Sequence, residues 1–254
     1  MDDLKGFLEE KYREYNRNWF IDSDPVSIPH LFTKKEDIEI AGFLAATIAW
    51  GNRKSILTNA NRLMQLMDNA PHDFVLNAAA ADLKPLNSFV HRTFNGIDTI
   101  YFIKTLNTIY KKHGGMERAF SAGIKKGDAD VANAIAHFRA LFFTGNYPER
   151  TLKHVSNPLS GSSSKRLCMY LRWMVRSDEF GVDFGLWKGI SPATLSCPLD
   201  VHSGNVARKL GLLARNQNDW RAVTELTNKL KEYDPADPVK YDFALFGLGV
   251  FEKF

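Results

Sequence analysis

Apolar residues recur at three- and four-residue intervals along almost the whole chain, and no stretch sustains the alternation of apolar and polar residues that a half-buried strand needs. Leu4, Leu8, Tyr12 and Tyr15 form one stripe, and Ile56, Ala60, Leu63 and Leu66 form another. Asp37 opens an apolar run that reaches Trp50. Further stripes predict helices over about 96–110, 116–124, 129–143, 165–176, 201–213, 220–233 and 238–251. This periodicity predicts an all-α fold with no substantial sheet. Asp237-Pro238 reads as a helix start, with an acidic cap and proline in the first turn. The loop Asn157–Ser164 (NPLSGSSS) and the Gly/Pro-containing connector 181–199 are the clearest breaks.

A chain of 254 residues, 44% of them hydrophobic, can bury a core without covalent staples. We read residues 1–254 as a single helical domain in two lobes, roughly 30–150 and 151–254, with an N-terminal helix added. The two cysteines, Cys168 and Cys197, form no Cys-x-x-Cys pair and read as buried thiols. A four-cysteine iron–sulfur cluster is excluded by their number. The seven histidines show no metal-ligand spacing, so no metal site is expected. The acidic, amphipathic start is unlike a signal peptide, and the apolar run ending at Trp50 is too short to span a bilayer, so a cytoplasmic location and no membrane partner are expected.

Charge is unevenly placed. Between Tyr147 and Arg176 lie six basic residues (Arg150, Lys153, Lys165, Arg166, Arg172, Arg176) against one acid, Glu149, although the whole chain carries only +4. Such a stripe fits a polyanionic partner, but on charge alone a solvated helix face is the better reading.

The densest chemistry lies between Asn157 and Leu212. Lys165 opens a helix directly after the glycine–serine loop. Unpaired N–H groups and the positive end of the helix dipole can hold a phosphate there, and an amine nucleophile gains from a positive surrounding. Asp200 follows Pro198 and precedes Val201-His202-Ser203, where a helix cap belongs. Taken singly, Asp200 reads as a cap and Lys165 as a surface lysine, and neither establishes catalysis.

The order loop, lysine at a helix start, Gly/Pro linker and then Pro-Leu-Asp-Val-His resembles the helix–hairpin–helix (HhH-GPD) DNA glycosylase superfamily. Leu199-Asp200-Val201-His202 is its most specific match. The resemblance runs from about Asp37 to Phe251. It implies Lys165 as the nucleophile that attacks C1′ of a damaged nucleotide and Asp200 as the carboxylate that assists, with no metal or organic cofactor. The hairpin departs from the usual Leu-Pro-Gly-Val-Gly core, because only Gly161 remains among Ser160, Ser162, Ser163 and Ser164. The Lys–Asp interval is also long. Both features are similar to the archaeal 8-oxoguanine glycosylase branch, which implies a base pocket at Met169, Asp242 and Phe246; Met169 stands where that branch has an aromatic. An uncharacterised bacterial family of similar length shares these motifs.

The same resemblance implies DNA contacts at Gly161, Ser162, Ser163, Ser164, Arg166, Arg172 and His202, and a wedge at Trp50, Asn52 and Arg53. For Trp50-Gly51-Asn52-Arg53 a second reading stays open, a capped helix junction with Trp50 buried. The expected function is a DNA repair N-glycosylase and β-lyase acting on an oxidised purine in double-stranded DNA, nucleoid-associated while it works. The alternative is a helix–hairpin–helix protein that binds DNA or its damage without cutting. Protein partners are not indicated.

Overall fold

The computed structural model describes residues 3–254. Its α-helices are α1 (Leu4–Tyr15), α2 (Asn18–Ser23), α3 (Lys35–Thr47), α4 (Arg53–Gln65), α5 (Pro71–Asn77), α6 (Gly96–His113), α7 (Met116–Ser121), α8 (Ala132–Phe142), α9 (Lys165–Val175), α10 (Val201–Lys209), α11 (Trp220–Lys231) and α12 (Asp242–Val250). Short 3-10 turns join several of them. Two-residue strands β1 (Val90–His91) and β2 (Phe94–Asn95) pair antiparallel, Val90 opposite Asn95. The fold is all-α, as the periodicity predicts. Among the described residues no helix is long and apolar enough to cross a membrane.

Local chemistry explains the helix ends. Asn95 and Asp98 form a capping box at the start of α6, and Gly114 stops that helix at φ 75°, past a last turn holding Lys111, Lys112 and His113. α10 ends before the predicted 213, and Gly211 follows at φ 71°. The segment after Asp237 runs first as a 3-10 turn, Pro238–Tyr241, and becomes α-helical only at Asp242. Asp237 makes no side-chain cap there, because its carboxylate binds Nε of Arg176 at 2.9 Å.

The chain divides into two compact units. One comprises Asp22–Gly123 and Ala134–Ser156. Its centre is an aromatic cluster in which Phe43 stacks on Phe102 at 5.5 Å and meets Phe138 and Phe142 edge-on. The other gathers α1, Ile124–Asn133 and Asn157–Phe254. Within it α1 and α10 both pack on α12. Of the predicted stripe, Leu8, Tyr12 and Tyr15 are the buried face of α1, and Leu4 in its first turn is only half-buried. Gly247 permits the close approach of α1, since a Cβ there would lie 2.1 Å from the Tyr15 ring. α9 is buried on almost every side, from Leu167 to Val175.

Candidate active site

Lys165 is the first residue of α9, and Asp200 is the N-cap of α10. Both lie in the same unit, and Nζ of Lys165 stands 3.2 Å from Oδ2 of Asp200. Their side chains are 25% and 26% exposed, so the pair is open to a partner on one side. The two oxygens of Asp200 divide their work. Oδ1 accepts from the N–H groups of His202 (2.8 Å) and Ser203 (3.1 Å), while Ser203 Oγ accepts from the Asp200 N–H at 3.0 Å. That closes a capping box and leaves Oδ2 to Lys165. Burial alone would raise the Asp200 carboxyl, but the Lys165 ammonium and the N–H donors outweigh it and hold the group below its ordinary value. Asp200 is therefore an ionised, oriented carboxylate beside an amine.

Asp242 opens α12 and lies within electrostatic reach of both members of the pair. Burial pushes its carboxyl up to about 6, against the opposing pull of Arg172 and Lys165. Arg172 ion-pairs with Asp242 and donates from Nε to Asp183 at 3.2 Å. Met169 is buried on α9, with 8% of its surface exposed. Phe246 is half-buried and meets Phe20 edge-on at 5.8 Å and Phe251 at 6.4 Å.

Arg172 corrects the sequence reading. It was expected to reach DNA, yet it is 3% exposed and held by two carboxylates. Arg176, one turn on, is 1% exposed and binds Asp178, Asp183 and Asp237. In the other unit Arg150 pairs with the buried Asp98 at 2.6 Å. Four of the six cations in the basic stripe, Lys165 included, are thus neutralised by carboxylates, so the stripe is not a free positive surface. Arg166 is half-buried, and burial lowers its guanidinium to about 10.

The hairpin is also more self-contained than expected. Gly161, at φ 87°, donates its N–H to Pro158 O, Ser162 donates to Asn157 O, and Ser164 donates to Ser162 Oγ. Three of the four N–H groups expected to cradle a phosphate are therefore spent inside the loop, and Ser164 is buried. Gly161 and Ser162 themselves stay exposed and Ser163 is half-exposed. Ser164 occupies the left-handed region at φ 47° and its side chain makes no cap to α9. His202 is exposed on the first turn of α10.

Trp50, Asn52 and Arg53 belong to the other unit, at the junction of α3 and α4. Asn52 is the N-cap of α4, accepting from Ser55 N–H at 3.1 Å, and Arg53 opens that helix. Trp50 is half-buried against His91 (5.1 Å between rings) and His154 (5.9 Å), and its carbonyl lies 3.3 Å from His91 Nε2. Of the two readings, the capped junction describes this geometry for Asn52, whose side chain is already engaged.

Sequence reasoning missed Asp183, the carboxylate that joins Arg172 to Arg176. Nothing in the glycine-rich connector marks it except its position among buried residues.

An all-α chain that sets a lysine and an ionised aspartate side by side at two helix starts is thus defined by geometry. By its sequence the chain belongs to the family described as "Protein of unknown function (DUF2400)", which matches residues 24–251. No curated protein and no solved structure matches it.

Proposed function

We propose that the protein is a DNA N-glycosylase with β-lyase activity, excising an oxidised purine through a Schiff base on Lys165. The 3.2 Å contact between Lys165 and Asp200, which joins residues far apart in the chain at an open site, carries this reading. An amine nucleophile must lose a proton, and an ionised carboxylate in contact with Nζ is placed to accept it or pass it to water. Nζ would attack C1′ of the damaged nucleotide. The base would leave with the electrons of the glycosidic bond and take up a proton. Asp200, having passed the Nζ proton to water, would face the positive charge that develops on the sugar as the base departs. The C1′–O4′ bond would then open, O4′ taking up a proton, and the resulting iminium between C1′ and Nζ would allow loss of a C2′ proton and of the 3′ phosphate. The target base would be flipped toward Met169, Asp242 and Phe246.

Borohydride trapping on duplexes carrying oxidised purines or an abasic site tests the proposal. Wild-type protein is expected to form a covalent adduct, and Lys165→Gln to form none while it still binds the duplex. A wild-type protein that binds damaged DNA, forms no adduct and releases no base would instead be the non-catalytic DNA-binding member of the pair of readings.

A further inference from the structure

Three consecutive residues, Asn218, Asp219 and Trp220, touch the starts of both helices that carry the Lys165–Asp200 pair. Asn218 Nδ2 donates to the backbone carbonyl of Asp200 at 3.0 Å, and Asn218 Oδ1 accepts from Nη2 of Arg208 at 2.6 Å. Arg208, on α10, also holds the loop by donating to the carbonyls of Arg215 (2.8 Å) and Asn216 (2.9 Å). Asp219 caps α11 through Ala222 N–H and pairs as an isolated antiparallel bridge with Ser162. The Trp220 N–H donates to Gly161 O at 3.0 Å. Gly161 and Ser162 are followed, after Ser163 and Ser164, by Lys165. Gly204, on α10, makes the room: a Cβ there would stand 2.9 Å from Asn218 Oδ1 and 3.0 Å from Arg208 Nη1.

We infer that Asn218 is a positioning residue, which sets the distance between Lys165 and Asp200 by fixing the start of α10 to the loop that Asp219 and Trp220 anchor on the hairpin. The inference rests on the lyase reading of that pair. It needs both ends of the amide. The NH2 group holds Asp200, and the carbonyl oxygen takes the guanidinium of Arg208. A small change in register there moves Asp200 relative to Nζ, and misplacement of reacting groups by about 1 Å can lower a rate by about a hundredfold.

The test uses the full chain and two duplexes, one with a natural abasic site for borohydride trapping and one with a tetrahydrofuran analogue that cannot form an imine. Asn218→Ala is expected to slow single-turnover adduct formation by about tenfold to a hundredfold while leaving affinity for the analogue duplex unchanged. Asn218→Gln, which keeps the amide, should recover part of the rate. Gly204→Ala removes no polar group and suits a helix, so it serves as the second variant should Asn218→Ala fold poorly; it should slow the same step by crowding Asn218. Adduct formation at the wild-type rate in both Asn218→Ala and Gly204→Ala overturns the inference while leaving the lyase reading intact. So does a rate loss that merely follows a loss of affinity. No adduct from the wild-type protein overturns the lyase reading, and this inference with it.

Discussion

The two ends of α9 use the same kinds of residue to opposite effect. At its start Lys165 meets Asp200 in a pair that is about a quarter exposed on each side. At its other end Arg172 and Arg176 are shut away among Asp178, Asp183, Asp237 and Asp242. Tyr12 donates to Asp178 and accepts from Arg176 Nη2 at 2.8 Å, and Phe243 lies 4.2 Å beneath the Arg172 guanidinium. Burial would push the Arg176 guanidinium down, yet Asp183 and Asp237 raise it well above its ordinary value. The difference teaches which charge can work. An open pair contributes about 0–1 kcal/mol to stability and can exchange its partner for a substrate. A sealed network cannot lose one member without leaving an uncompensated charge in the interior. The open pair and the sealed network are thus separated along one eleven-residue helix.

Substitutions at either end of α9 test that contrast. The largest effect is expected from Asp183→Asn, which leaves two buried guanidinium groups facing an amide. Unfolding in denaturant should show a loss of about 3–5 kcal/mol. Stability near wild type would mean that the sealed end is as dispensable as the open one. Next comes Asp200→Asn, which keeps an oxygen for the α10 cap, so the fold should persist. On the proposed reading it removes the charge that would face the sugar, and base release measured in single turnover should fall by about 10²–10³. Asp242→Asn probes the ground between the two ends. Burial pushes the carboxyl up to about 6 from the ordinary 3.8, so its contribution is fully present below 3.8 and is lost as pH rises through about 6. The wild-type minus Asp242→Asn difference in unfolding free energy should therefore decline over that interval. A flat difference would sink the assignment. The smallest effect is expected from Lys165→Gln, whose stability should change by less than about 1 kcal/mol by the same denaturant measurement. A larger loss would show that the open pair is structural after all.

Much of this was legible beforehand, and the gaps have physical causes. The stripe Leu8, Tyr12 and Tyr15 marks the buried face of α1 because a helix brings every third or fourth residue to one side. Lys165 and Asp200 could be picked out because each follows a turn into a helix. Their 3.2 Å contact could not, since it depends on how the connector folds. Only the basic stripe and the resemblance place Arg172 among the DNA contacts. The better signal was the run Leu167-Cys168-Met169-Tyr170-Leu171 followed by Trp173-Met174-Val175. A helix apolar on every side is buried, so a cation within it needs anions around it. The hairpin misled in the same way. Asn157-Pro158 is turn chemistry, and Asn157 Oδ1 accepts from Leu159 N–H at 3.1 Å, which already announces a loop that satisfies its own donors.

The approach of α1 to Gly247 has a consequence for the timing of synthesis. α1 leaves the ribosome more than two hundred residues before the helix it packs on, a delay of roughly 10–40 s at about 5–20 residues per second. Throughout that interval the apolar face of Leu8, Tyr12 and Tyr15 has no α12 to cover it, and by its end all of Asp22–Ser156 has emerged. A nascent chain halted before Asp242 should accordingly be cut by protease within α1, and one that extends past Val250 and has cleared the exit tunnel should be protected there. Equal protection in both would mean that α1 finds another shelter while it waits.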